Sequence, residues 1–272
     1  MKDNARFTNE VAIITGASSG FGRATAKLLF KKGYRVFGTS RKENSNLDEE
    51  FEMLLLDVRS DESVQACVEQ VLNAAGRIDL LINNAGYALS SFVEETTLDE
   101  VRYVFETNFL GVVRMTKAVL PIMRKQRHGR IINISSLAGL VGVPSQGFYS
   151  ASKFALEGYS EALKYEVEKF NIKVSLIEPG FFRTNLHKVM ARRTDEIADY
   201  DSFRNSVDSS FENAIQNGGD PERVAELIVR VAKEKSPRLR YRIGSDALWV
   251  PRLKSILPER AFALGFRRNF NL

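Results

Sequence analysis

The 272 residues suffice for one large α/β domain or two small ones, and 44% hydrophobic with 27% charged residues is ordinary for a soluble globular chain. The single cysteine, Cys67, excludes an internal disulfide, and the two histidines, His128 and His187, stand apart from it and from each other, which argues against a zinc site. The net charge of +5 is uneven: residues 238–272 carry eight Arg/Lys against two acids, a net +6, which leaves 1–237 at −1 and argues against a nucleic-acid-binding core.

The N-terminal MKDNARFTNE is polar and lacks the apolar core of a secretory signal. No run approaches the roughly 18 apolar residues of a spanning helix, so a cytoplasmic location is expected. Along the chain, Val11–Thr15 reads as a buried strand and Gly20–Lys32 as a helix ended by Gly33. Arg35–Thr39 and Glu52–Asp57 read as the second and third strands. Asp61–Ala75 has helical spacing through Val64, Val68 and Val71, with Cys67 buried or half-buried among them. Leu80–Ile82 reads as a fourth strand, Leu98–Lys125 as a long helix and Arg130–Ile134 as a fifth strand. Tyr149–Phe170 reads as another long helix and Lys173–Ile177 as a sixth strand. Continuously apolar strands alternating with amphipathic helices predict an α/β fold, a Rossmann-type doubly wound parallel sheet. No repeat or Gly/Ser linker divides it. A single domain over 1–245 with a basic C-terminal extension over 246–272 is expected. Residues 181–219 are polar and mixed, with scattered phenylalanines, and predict a substrate loop. Asp220-Pro221 then caps a helix to about Lys235.

Three motifs carry chemistry. The first strand runs into Thr15-Gly16-Ala17-Ser18-Ser19-Gly20-Phe21-Gly22. Glycines there let the backbone approach a pyrophosphate, and the free N–H groups of the following helix face it. Strand two ends in Thr39-Ser40-Arg41-Lys42, without the carboxylate that would bind the ribose 2′-hydroxyl of NAD. Arg41 can pair with a 2′-phosphate and Ser40 can donate to it, so NADP(H) is expected over NAD(H). In Tyr149-Ser150-Ala151-Ser152-Lys153 the phenol and the ammonium share one helix face. A nearby cation favours phenolate and lowers a phenol pKa of about 10 toward neutrality.

TGASSGFG, NNAG at Asn83–Gly86, Asn108 within ETNFLGV, ISS ending at Ser136, YSASK and Pro179-Gly180 follow one another in an order that resembles the short-chain dehydrogenase/reductase family over nearly all of residues 8–245. The resemblance implies that Tyr149 is the proton donor in reduction. Lys153 lowers its pKa and holds the nicotinamide ribose. Ser136, rather than the adjacent Ser135, polarises the substrate carbonyl, and Asn108 anchors a water that relays protons to Lys153. It also implies cofactor contacts from Asn84, Ala85 and Gly86 on the adenosine side, from Asp57 and Val58 at adenine, from Pro179 and Gly180 under the nicotinamide, and from Thr184 at the carboxamide. A homodimer or homotetramer through the two long helices is implied as well.

SSLAGLVGVPSQGF and the helix after it are most similar to the 17β-hydroxysteroid and retinol dehydrogenase branch. With Ser136 and Tyr149, the apolar residues Leu137, Val143 and Phe148, joined by Leu140, Val141, Phe181 and Phe182, predict a pocket for a bulky hydrophobic ketone, aldehyde or alcohol. The alternatives are a small polar carbonyl, an epimerisation or dehydration on the same site, and a catalytically silent nucleotide-binding scaffold. In the tail, Phe262, Phe266 and Phe270 form one helical stripe. Packing on the domain or in a dimer is favoured over weak contact with an anionic membrane.

Overall fold

The computed structural model describes residues 10–42, 50–183 and 196–270. In chain order the main elements are β1 (Val11–Ile14), α1 (Gly20–Lys31), β2 (Arg35–Ser40), β3 (Glu52–Leu55), α2 (Asp61–Ala75), β4 (Leu80–Asn83), α3 (Leu98–Phe105), α4 (Gly111–Gln126) and β5 (Gly129–Ile134). They continue with α5 (Gly147–Val167), β6 (Ile172–Pro179), α6 (Asp201–Gln216), α7 (Pro221–Lys233), β7 (Arg240–Ile243), α8 (Ser245–Ile256) and α9 (Glu259–Asn269). The described strands form one seven-stranded parallel sheet in the order β3-β2-β1-β4-β5-β6-β7. The chain is therefore a Rossmann-like α/β protein.

Strand alternation explains the two cores. Ile14, Ile82, Ile132 and Ile177 point to one face, where Ala26 and Leu29 of α1 and Val224 and Ile228 of α7 cover them. Ile13, Leu81, Ile131 and Val174 point to the other, under Val64 and Val71 of α2, Met115 and Val119 of α4 and Leu163 of α5. Each such fully buried aliphatic side chain contributes about 2 kcal/mol. From β1 the sheet order runs outward through β2 and β3, and from β4 through β5 to β7. The loops after β1 and β4 therefore diverge and open a crevice at the carboxyl edge.

Four features depart from the sequence expectations. The long helix expected over 98–125 is interrupted by a π-helical turn, Glu106–Leu110, closed by the Gly111 N–H donating to the Glu106 carbonyl five residues back. The wider turn carries Asn108 inward, where it is fully buried. The stretch expected as a substrate loop holds the four-turn α6, seated by buried Val207 and Phe211. Its earlier part, 184–195, with Thr184 and His187, lies outside the described residues. A seventh strand, β7, was not anticipated, nor was the helix α8 ahead of the expected tail helix.

Candidate active site

The crevice has a volume of about 460 Å³ and runs from the β1–α1 turn across the sheet edge to α6. At its first end Thr15 staples two strands together: its Oγ1 accepts from the Asn84 and Ala85 N–H groups at 2.9 Å each. The Asn84 amide donates back to the Thr15 and Gly16 carbonyls at 2.9 and 3.0 Å. Gly16 has φ +68, and a Cβ there would meet Ala85 Cα at 3.0 Å, so only glycine suits this position. Ser18, Ser19, Gly20 and Phe21 line the crevice. Ser19 is the N-cap of α1 but makes no side-chain cap bond, and the first turn holds no acid. Uncapped N–H groups and a positive helix end thus face the cavity, which fits a dinucleotide pyrophosphate. Gly22 does not line the crevice; a Cβ there would strike the Gly16 carbonyl, so its role is close packing of turn on helix.

At the β2 and β3 ends, Ser40, Arg41, Asp57 and Val58 line the same cavity, and so does Arg59, which the sequence reading passed over. The Arg59 side chain grips Asp57 with three bonds, from Nε to Oδ1 at 2.9 Å and to Oδ2 at 3.1 Å, and from Nη2 to Oδ2 at 2.5 Å. That pairing holds the Asp57 carboxyl below the usual carboxylate range. The Arg59 guanidinium lies 4.5 Å from the Tyr103 ring centre, and Arg41 donates to the Tyr103 hydroxyl at 2.5 Å. Two guanidiniums therefore stand at this end, while the neighbouring carboxylate is already neutralised.

The chemistry-bearing residues converge from β5, the turn after it and α5. Ser136, Tyr149 and Lys153 all line the crevice. Lys153 is buried and its Nζ donates to the Ile134 carbonyl at 2.8 Å. Burial pulls its pKa down to about 8, with Glu157 opposing. Its Nζ sits 5.7 Å from the Tyr149 ring centre. The lowering of the Tyr149 pKa expected from Lys153 is not what the geometry gives. Desolvation pushes the phenol up, and a hydrogen bond with Ser136 is what works against it. Tyr149 is thus held as a protonated donor. Ser135, the competitor of Ser136, lines the crevice as well, and its hydroxyl bonds toward Glu157.

Asn108 donates to the Tyr87 carbonyl at 2.9 Å and to Ser152 Oγ at 3.1 Å, and its Oδ1 accepts from the Tyr87 N–H at 2.8 Å. It locks the loop after β4 to α5, and both its amide hydrogens are taken. Below Lys153, Glu157 accepts from Arg240 Nε at 3.0 Å, and Glu178 accepts from Arg242 Nε at 3.0 Å. Burial raises both carboxyls, and the negative charge of Glu157 adds to the rise at Glu178.

Pro179 and Gly180 turn along the crevice floor. The Phe181 N–H donates to Asp246 Oδ2 at 2.7 Å, and the Asp246 carboxylate fills the space a Cβ on Gly180 would need. The far wall is apolar: Phe181, Phe182, Phe211 and Ile215. Of the residues expected around the substrate, Leu137 packs with Val141 and Ala247, and Val143 with Val207 and Phe270. They back the wall and do not line it. Phe148 is half-buried at the start of α5 and is not in the lining. Phe211 was read only as one of the phenylalanines scattered through the expected loop and Ile215 not at all, although Phe203, Val207, Phe211 and Ile215 recur at the four-residue spacing of a helix.

Comparison with known proteins identifies similar chains. The profile of the family described as short chain dehydrogenase matches residues 10–195. A 3-ketodihydrosphingosine reductase of Bacteroides thetaiotaomicron is 45% identical over 262 residues, covering 95% of this chain and 97% of that protein. A crystal structure of a short chain dehydrogenase/reductase from Burkholderia phymatum in complex with NAD superposes with a TM-score of 0.81 at 28% identity, covering 92% of this chain and 94% of that one. The closed form of a serine dehydrogenase complexed with NADP+ gives 0.74 at 26% identity, over 86% and 94%.

Proposed function

From the premise that the chain belongs to the short chain dehydrogenase family and is an oxidoreductase using a nicotinamide cofactor, we propose that it is an NADP(H)-dependent reductase of a ketone carried on a long or bulky apolar molecule. The observation that carries the substrate reading is the junction of Ser136, Tyr149 and Lys153 with the apolar wall of Phe181, Phe182, Phe211 and Ile215 in one crevice. The similarity to a 3-ketodihydrosphingosine reductase favours a lipid ketone over the steroids and retinoids suggested by the helix motif. Arg41 and Arg59, with Asp57 neutralised between them, support recognition of a 2′-phosphate.

The residues present fit the cofactor along its length, from the uncapped N-terminus of α1 to the Pro179-Gly180 turn. When bound, the nicotinamide supplies a hydride to the carbonyl carbon. Ser136 donates a hydrogen bond to the carbonyl oxygen and polarises it. Tyr149, kept protonated by burial, transfers its proton to that oxygen as the alcohol forms. Lys153 stabilises the phenolate left behind and holds the ribose hydroxyls. Asn108 keeps the loop after β4 and α5 in register, so that these groups stay aligned. Thr184 is assigned to the carboxamide by the family motif alone.

The test is a reductase assay by NADPH absorbance, run in parallel with NADH. The ketones are 3-ketodihydrosphingosine in detergent micelles, a steroid, a retinal and a short polar ketone. Turnover of the lipid ketone with NADPH is expected to exceed the others. A preference for the short polar ketone would reverse the substrate assignment, and equal use of NADH the cofactor assignment.

A further inference from the structure

α8 and α9 pack behind the apolar wall of the crevice and also present a face to solvent. On α9 the stripe of Phe262, Phe266 and Phe270 turns inward, with successive ring centres 5.4 and 5.1 Å apart. Phe270 meets Phe211 of the crevice wall at 5.7 Å. The other side of α9 presents Arg260, Leu264, Arg267 and Arg268, all exposed. On α8, Trp249, Leu253 and Ile256 recur at the spacing of one helix face and are 59%, 40% and 74% exposed. Arg252 lies over the Trp249 ring at 5.5 Å. Between Trp249 and Arg268 the chain has five Arg/Lys and one acid, Glu259. Among the described residues no helix is long and apolar enough to cross a membrane.

We propose that the outward faces of α8 and α9 dock on an anionic lipid surface, with Trp249, Leu253 and Ile256 entering the headgroup layer and Arg252, Arg260, Arg267 and Arg268 pairing with lipid phosphates. Charge selects this occupant. An isologous contact with a second copy would set one basic patch against the same patch, whereas anionic headgroups complement it and the acyl boundary takes the exposed apolar stripe. The contact brings the α9 side of the crevice to the phase in which a long-chain ketone is dissolved. Docking rests on the apolar-ketone reading for its purpose but not for its readout.

Trp249 is the only tryptophan in the chain and reports the contact directly. The full chain is titrated with phosphatidylcholine vesicles, with and without phosphatidylglycerol, at low and high salt. Trp249 emission and co-sedimentation are followed together. The expected result is a blue shift and sedimentation with the anionic vesicles alone, both reduced by salt. In the triple variant Arg260→Glu, Arg267→Glu, Arg268→Glu, lipid affinity is expected to fall about a hundredfold or more. Ile256→Asp should lose the blue shift, with the thermal unfolding midpoint of each variant unchanged. No sedimentation of the full chain at low salt, or equal binding by the triple variant, overturns the proposal. So does a lipid-free blue shift on concentrating the protein together with a dimer mass, because a second copy then covers the face. Vesicle binding without reduction of any apolar ketone would remove the substrate reading and leave the docking intact.

Discussion

The ammonium of Lys153 lies one helical turn from Tyr149, 5.7 Å from its ring centre, and spends a hydrogen bond on the Ile134 carbonyl rather than on the phenol. With the Lys153 pKa near 8 and the Tyr149 phenol raised, pH acts through the lysine first. Above about pH 8 the ammonium loses its proton while the phenol keeps its own. The value of kcat/KM for NADPH, which reports groups on the free enzyme, is expected to fall on that alkaline side. Lys153→Met should lower the rate and remove this limb. Persistence of the limb at the same midpoint would assign it to another group.

Tyr149→Phe keeps the ring and removes the acid. Turnover is expected to drop by about 10²–10⁴, the usual contribution of a positioned acid. NADPH affinity by fluorescence titration should change by no more than about threefold. Near-normal turnover in this variant would take the proton donor elsewhere.

At the other end of the crevice, Arg41→Ala is expected to raise KM for NADPH by about 10- to 100-fold, the scale of a lost bond to a charged group, and to leave NADH almost unaffected. Arg59→Ala should shift the ratio the same way, because it also frees the Asp57 carboxylate that Arg59 now neutralises. Steady-state kinetics with both cofactors distinguish these effects from a general loss of binding.

Arg240 holds Glu157 at 3.0 Å and Glu161 at 2.7 Å, and lies 3.5 Å from Glu178. Arg240→Ala is expected to cost about 2–3 kcal/mol at pH 7 by urea unfolding, because buried carboxylates lose their partner. Both Glu157 and Glu178 have folded pKa values raised above the unfolded one. The folded state therefore binds more protons than the unfolded state above about pH 4.5, and stability falls as pH rises through that window. Removing Arg240 raises those values further, so the loss should shrink at pH 5. An equal loss at both pH values would place the cost in packing.

Cys67 is buried in α2 and its thiol is pushed up to about 11 by desolvation. In native protein it should resist a thiol reagent at pH 8 and react fully only in denaturant. Rapid labelling of the native chain would mean that α2 opens locally.

The sheet was legible because VAII and the LLI of β4 are apolar without a break, as strands covered on both sides must be. The placing of Tyr149 and Lys153 in one crevice was legible because a four-residue spacing puts both on one helix face. Glu157 extends the same face by one more turn, a signal that was present and unread. β7 was illegible because Arg240 and Arg242 look like tail charges. They are strand residues whose guanidiniums meet buried Glu157 and Glu178, and only the three-dimensional pairing makes them neutral. The π-helical turn at Asn108 leaves no mark in composition, and the bonds it makes run to the distant backbone of Tyr87.

Asp246 belongs to the chain's last thirty residues, yet its carboxylate caps the Phe181 amide and occupies the hollow beside Gly180. The segment after Gly244 thus braces the Pro179-Gly180 turn at the crevice floor. Proteolytic clipping just after Gly244 would disarm catalysis without touching Ser136, Tyr149 or Lys153, and the two parts should melt in one cooperative transition.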